Sequence, residues 1–174
     1  MNYHNTSLQQ AKRKVFSDFV FWLYRVVISK SDNLKCEPHA TDRLKLTATD
    51  IGAVFAHHMS EQAATDVGTH FDTHIRLAIA LIDSQINSNL SKIDKYVQKL
   101  YSHSHEMTSF FATVNPSYQY DTLRPLLDLH IDLMRAIISA RLCSEHRQEV
   151  IIFDALYENI LNLADLYDDG IIDD

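Results

Sequence analysis

The sequence predicts an all-α protein with a single domain, and three observations support this fold class. The chain has 174 residues, enough for one hydrophobic core. It contains three glycines and three prolines, too few for the many turns of a β-sandwich, a β-barrel or a doubly wound sheet. Apolar residues account for 46% of the chain and charged residues for 22%, a balance typical of a packed domain and not of a disordered chain.

The first helix is predicted over residues 7–30, where apolar side chains recur at helical spacing. Residues 31–48 are mostly polar and contain Pro38, so a long loop is expected there. A capping box of Thr47 and Asp50 then predicts the start of the second helix.

The later helices follow from similar signals. The third has the clearest amphipathic pattern, and Gly68 is expected to separate it from the second. Ser91 and Asp94 form another capping box, and the turn Asn-Pro-Ser at 115–117 precedes the fifth helix. The six predicted helices cover residues 7–30, 49–64, 69–88, 92–105, 120–143 and 146–168.

Charge and cysteine content argue against several function classes. The net charge is −7, and the only basic run is at residues 12–14, so we expect no nucleic-acid partner. The longest apolar run, residues 19–24, is too short to cross a bilayer, and no signal-peptide pattern precedes it. We therefore expect a cytoplasmic protein without a membrane partner. Cys36 and Cys143 belong to no CxxC or CxxCH motif, which argues against a disulfide framework, a structural zinc site and covalent haem attachment.

Histidine is unusually frequent, with ten residues in the chain. Imidazole is the commonest metal ligand in proteins, so this excess suggests a metal or haem site. His74 lies on a helix face, and His103 and His105 follow at the predicted end of the next helix. Imidazoles on two consecutive helices could face one flat cofactor from opposite sides. His130 lies on the apolar stripe of the fifth predicted helix, where a core or pocket-edge position is expected.

Four stretches, at residues 19–34, 71–105, 115–137 and 152–167, together resemble the globins, in particular bacterial single-domain globins. The first stretch resembles the second globin helix, and the second resembles the distal helix leading into the proximal helix. The third resembles the turn and the long helix that follow the proximal histidine, and the fourth resembles the final helix. The resemblance implies a three-over-three helical sandwich. It also implies a non-covalently bound b-type haem that binds a diatomic gas, O₂, NO or CO.

The globin resemblance also assigns the site residues. It places the axial ligand of the iron at His105, with His103 as the alternative. It places Tyr24 and His74 over the opposite face of the haem. The remaining pocket residues that it implies are Phe55, with Phe71 as the weaker choice, and Leu77, Ala78, Tyr101 and Leu127. We expect no reductase domain, and therefore a gas-binding protein for sensing, transport or detoxification in preference to an enzyme; a homodimer stays open.

Three alternatives remain beside this interpretation. The first is a haem-free helical interaction or sensor module that binds a partner through an exposed apolar face. The second rests on Arg141 and His146, whose Arg-x4-His spacing resembles HEPN ribonucleases, although the residue after the arginine is apolar. The third is a di-iron bundle. The pairs His57/Glu61 and His70/His74 resemble hemerythrin ligand pairs, although the HxxxxD pair of that family is missing.

Overall fold

The computed structural model describes the backbone of residues 3–169 and the side chains of residues 8–167. Within these residues the secondary structure consists of six helices and no strand, so the all-α prediction is confirmed. None of these helices combines the length and apolar character needed to span a membrane. The helices are α1 (Tyr3–Ser31), α2 (Glu37–Phe55), α3 (Glu61–Ile86), α4 (Leu90–Val114), α5 (Tyr120–Leu142) and α6 (His146–Asp169).

The second helix starts much earlier than the sequence analysis predicts. Residues 37–48, expected to form part of a long loop, are helical, and this part of the prediction is wrong. Pro38 lies in the first turn of α2, where its fixed φ suits a helix and its missing N–H would have had no helical partner. Leu44 and Ala48 belong to the same stretch. Both are buried and lie on the apolar stripe of the helix.

Three further helix boundaries differ from the prediction. Helix α2 ends at Phe55, well before the predicted end at residue 64. Helix α3 runs through Gly68 and begins after Ser60, whose Oγ accepts a hydrogen bond from the Ala63 N–H at 3.2 Å. Helix α4 continues to Val114, because Met107 and Phe111 extend its buried stripe beyond residue 105. The histidines that were expected at the end of the fourth helix therefore lie in its middle.

Three helices end in the same way although no glycine is available at their ends. Asn33, Ser88 and Ser144 have φ angles of 50°, 51° and 59° just after α1, α3 and α5. In each case the next N–H bonds back to a carbonyl five residues earlier, at 2.8–2.9 Å, as from Leu34 to Ser29. This is a Schellman motif. At these three helix ends, a polar residue adopts the left-handed conformation that glycine usually adopts.

The six helices form a closed ring in chain order. Each packs against its neighbours in the sequence, and α6 packs against α1. The connections are short, three to five residues each by the helix bounds, so consecutive helices run antiparallel. Contacts along the α1–α6 seam agree with this, because Lys12 bonds to the Tyr167 carbonyl at 2.8 Å and Tyr24 bonds to Glu149 at 2.8 Å.

Helices α1, α3 and α5 form the centre of the ring. Their backbones approach one another closely, whereas those of α2, α4 and α6 do not within the described residues. These outer helices meet through long side chains, as in the ring contacts of Phe55, Phe111 and Tyr167. The three central helices are parallel, because each short connection reverses the direction of the chain. At one level of the bundle, Phe19 of α1 lies beside both His74 of α3 and His130 of α5. One end of the bundle is held by Lys30, whose Nζ lies 3.0 Å from carboxylate oxygens of both Glu37 and Asp83.

Helices α2 and α3 approach each other through small residues. A Cβ atom at Gly52 would lie 3.0 Å from the Ala64 carbonyl oxygen and 3.3 Å from the Cα atom of Gly68. A Cβ atom at Gly68 would meet its nearest neighbour, the Ala48 carbonyl oxygen, at 3.4 Å. Backbone atoms at Gly52 cannot move aside without separating the helices, whereas Gly68 has room for a methyl group.

The two glycines should therefore respond differently to alanine. Gly68→Ala should raise the free energy of unfolding by about 0.5–1 kcal/mol, the helix-propensity gain over glycine. Gly52→Ala should lower it by about 1 kcal/mol or more, because overpacking against the backbone of α3 outweighs that gain. Urea unfolding of both variants measures the two effects, and equal stabilisation by both would contradict the close approach at Gly52.

Candidate functional site

The strongest cluster of chemically capable side chains lies where the three central helices meet. Phe71 and His74 lie on the buried stripe of α3, and Leu127 and His130 lie on that of α5. The rings of His74 and His130 have centroids 5.3 Å apart. Phe19 of α1 packs against both, at 6.2 Å and 5.5 Å. Two histidines from parallel helices thus face each other in the core.

Both imidazoles are buried without hydrogen bonds. His74 is 4% exposed and His130 is 2% exposed. No ring nitrogen atom of either residue has a hydrogen-bond partner among the described residues. An unpaired buried polar group destabilises a fold by about 1–3 kcal/mol, and such groups are rare in native proteins. The pair therefore requires a reason other than packing.

Burial keeps both histidines neutral at physiological pH. It lowers the pKa of His130 to about 4. Burial also lowers the pKa of His74 well below its ordinary value, and the neighbouring His130 and His103 lower it further. A neutral imidazole has one nitrogen lone pair free for a metal ion. Both side chains are therefore in the protonation state that a ligand needs.

A small cavity adjoins the pair. Its volume is about 10 Å³, which is room for one water molecule or one ion. Apart from the two imidazoles, its walls are apolar or aromatic and come from α1, α3, α4, α5 and α6. The other lining residues are Phe16, Phe19, Phe71, Met107, Leu127, Ile160, Leu163 and Tyr167.

His103 lies near the pair but its ring is engaged elsewhere. Its Nε2 atom is 2.9 Å from the carbonyl oxygen of His70, and its Nδ1 atom is 3.4 Å from Glu106. Its ring centroid lies 6.4 Å from that of His74. Within residues 8–167, no group of three or more His, Cys, Asp or Glu side chains is arranged to hold a metal ion. The candidate site therefore has two imidazoles and not three.

Of the residues that the globin resemblance assigns to a haem pocket, His74, Leu127 and Phe71, the weaker alternative to Phe55, lie at the cavity. His105 is exposed on α4 and bonds through Nδ1 to the Tyr120 hydroxyl. The Tyr101 hydroxyl donates to Asp132 at 2.5 Å. These two side chains therefore lie on the α4–α5 surface.

The other assigned residues also lie away from the cavity. The Tyr24 hydroxyl donates to Glu149 on α6. Phe55 packs in an aromatic cluster with Phe16, Phe111 and Tyr167, at centroid distances of 6.5, 5.8 and 5.4 Å. Ala78 is buried and Leu77 is half-buried on α3, and neither lines the cavity.

A haem does not fit these positions as they stand. The cavity beside the histidines has a volume of about 10 Å³, whereas a haem macrocycle is many times larger. Helices α3 and α4, which the resemblance places on opposite faces of the haem, pack directly against each other. A hydrogen bond from the His103 ring to the α3 backbone joins them. A haem could enter only if this seam opened.

The two residues of the Arg-x4-His motif belong to an ionic cluster around Glu149. This carboxylate is 2% exposed, accepts a hydrogen bond from Tyr24, and has His146 Nδ1 at 3.1 Å and an Arg141 nitrogen at 3.4 Å. Arg141 also pairs with Asp32. The cluster joins α1, α5 and α6 at the end of the bundle where α6 begins, which gives both motif residues a structural role.

The residues of the two hemerythrin-like pairs, His57/Glu61 and His70/His74, lie in different surroundings. His57 is exposed within the connection between α2 and α3, and Glu61 is exposed at the first position of α3. His70 is half-buried beside His103, with centroids 5.4 Å apart. His74 is therefore the one member of the two hemerythrin-like pairs that lines the cavity.

Comparison with protein-family models, with curated proteins and with solved structures finds no match to this chain. The globin assignment and its three-over-three arrangement thus stay predictions that rest on the sequence stretches alone.

The sequence analysis found both members of the pair but not their pairing. It placed His130 on an apolar stripe, and its burial confirms that position. It matches His74 with histidines of the next helix, because no fixed spacing links His74 to His130. Met107 was missed because the predicted fourth helix ended before it.

The Glu149 cluster should make stability depend on pH. Burial raises the pKa of this carboxyl, but hydrogen bonds from His146 and Tyr24 and the charge of Arg141 outweigh it and lower the pKa overall. Because the pKa of Glu149 is lower in the folded state than in the unfolded state, its ionised carboxylate stabilises the fold at pH values above the unfolded-state pKa. This stabilisation is lost as the pH falls through the folded-state pKa. The wild type should therefore lose more unfolding free energy than Glu149→Gln between about pH 6 and about pH 3. Urea titrations measure this, with the exposed Glu158→Gln as the control that keeps the wild-type dependence.

The unpaired imidazoles should destabilise the metal-free protein. His74→Phe and His130→Phe should each raise its free energy of unfolding by about 1–3 kcal/mol, because an unsatisfied polar ring is replaced by an apolar one. His103→Phe is the matched control, and it should lower stability because it breaks the bond to the His70 carbonyl. Urea unfolding after chelator treatment measures all three. A loss of stability in both His74→Phe and His130→Phe would mean that these imidazoles are ordinary packed core residues.

Proposed function

We propose that this chain is a metal-binding helical bundle that holds one ion between the imidazoles of His74 and His130. The observation that carries the proposal is the pair itself: two buried, neutral imidazoles without hydrogen-bond partners beside a cavity of about 10 Å³. A metal ion supplies a partner for one nitrogen atom of each ring, because it accepts one lone pair from each.

The separation of the two rings suits a shared ion. A metal ion binds an imidazole nitrogen at about 2.0–2.1 Å, so two rings that share one ion have centroids about 5–6.5 Å apart. The observed 5.3 Å lies in this range. The cavity between the helices has room for one ion but not for an organic substrate. Binding and retention of the ion is therefore the function that the site supports, rather than catalysis.

A second candidate is the haem- and gas-binding function implied by the globin resemblance. The observation that favours it is that His74 and Leu127 line the same cavity. This function requires α3 and α4 to separate and His103 to release the His70 carbonyl. The two candidates differ in what the protein takes up, so one set of measurements distinguishes them.

The test loads chelator-treated protein with Zn(II), Co(II) or Cu(I), each added separately, and measures metal content after gel filtration. We expect one equivalent of at least one of these metals in the wild type. His74→Phe and His130→Phe should lose it, because one imidazole alone does not hold the ion. His105→Ala and His57→Ala, which remove exposed imidazoles, are the controls that should retain it.

Two results would overturn the metal proposal. One is a wild type that retains none of the three metals, and the other is retention that persists in a variant with both imidazoles replaced. A parallel titration with hemin distinguishes the second candidate. A Soret band that shifts with CO and disappears in a His103/His105 double variant would establish the haem protein instead.

A further inference from the structure

We propose that the ion is Cu(I) and that the thioether of Met107 is its third ligand. This inference rests on the proposed metal-binding function and names the metal. Met107 comes from α4, is 1% exposed, and lines the same cavity as the two imidazoles. The site would thus draw its ligands from three helices, with two nitrogen donors and one sulfur donor.

Two imidazoles and one thioether are a poor ligand set for Zn(II), Ca(II) and Mg(II). Zinc takes four ligands in structural sites and three protein ligands plus water in catalytic ones. Calcium and magnesium need six or more oxygen ligands. The described residues provide no group of three His, Cys, Asp or Glu side chains for such an ion. Imidazole and thioether donors in low number are typical of Cu(I), which accepts two or three soft ligands.

The charge balance of the cavity favours a monovalent ion. No carboxylate lines the cavity, and its other walls are apolar or aromatic. The free energy needed to bury an ion in a medium of low dielectric constant rises with the square of its charge. Two neutral imidazoles and a neutral thioether leave Cu(I) with one positive charge and a divalent ion with two. The uncompensated divalent ion therefore has about four times the desolvation penalty.

The aromatic walls add a weaker attraction for a cation. Phe16, Phe19 and Phe71 line the cavity together with the imidazoles. The face of an aromatic ring carries negative potential and attracts a cation within about 6 Å. The aromatic side chains also exclude bulk water, which keeps the thioether available as a ligand. An apolar aromatic site thus suits a soft monovalent cation better than a strongly hydrated one.

The test is an anaerobic titration of wild-type protein against the coloured Cu(I)–bicinchoninate complex. We expect the protein to withdraw one equivalent of Cu(I) and to retain it over an excess of Zn(II). Met107→Leu, which conserves volume, should weaken Cu(I) binding by at least about tenfold, the loss that follows even from removing an outer partner of a metal ligand. Met134→Leu is the matched control, because Met134 is equally buried but does not line the cavity, and it should bind as the wild type does.

X-ray absorption at the copper edge provides an independent readout on the wild type. We expect sulfur and nitrogen scatterers in the first shell, with the sulfur signal lost in Met107→Leu. Unchanged Cu(I) affinity in Met107→Leu, or Zn(II) binding as tight as Cu(I) binding, would overturn the copper assignment and leave the metal-binding function standing. A wild type that binds none of the three metals would overturn both.

Discussion

The structure depends on three parallel helices that meet at one level in the core. Connections of three to five residues make each helix antiparallel to the previous one, so α1, α3 and α5 share a direction. Phe19, His74 and His130 therefore lie side by side although they are far apart in sequence. The outer helices α2, α4 and α6 close the ring around this centre. A change in any connection that shifted one central helix along its axis would separate these three side chains.

Buried charges near the ends of the bundle and the imidazole pair in its centre differ in whether they have partners. Near the ends, buried charges are paired: Lys30 bonds to two carboxylates, and Glu149 is surrounded by Tyr24, Arg141 and His146. In the centre, two imidazoles have no partner in a well-packed apolar environment. Proteins commonly accept such local destabilisation where a site needs it, and the rest of the fold compensates. His58, which follows α2 and is half-buried, also has no partner for either ring nitrogen, but it does not line this cavity.

The sequence predicts the helices well and their boundaries less well, for identifiable reasons. Periodic apolar residues predict all six helices, because burying one face of a helix leaves a clear pattern. Pro38 predicts a loop but lies in the first turn of α2, since proline in a first turn and proline in a loop look alike in sequence. Gly68 predicts a break between helices but lies inside α3, where it faces the backbone of α2. That role depends on a neighbouring helix, which local sequence does not reveal.

The pairing of the two histidines in the candidate site also depends on which helices are neighbours, and local sequence does not reveal this. Pairing His74 with a histidine of the next helix assumes that consecutive helices share a pocket. In a closed up-and-down ring, a central helix shares the core with the helix two places further along the chain. The partner of His74 is accordingly His130, and their separation of 56 positions matches no short motif. What the sequence does contain is a histidine on the apolar stripe of each of two alternate helices. In an all-α chain with short connections, that combination indicates a shared buried site more directly than any fixed spacing does.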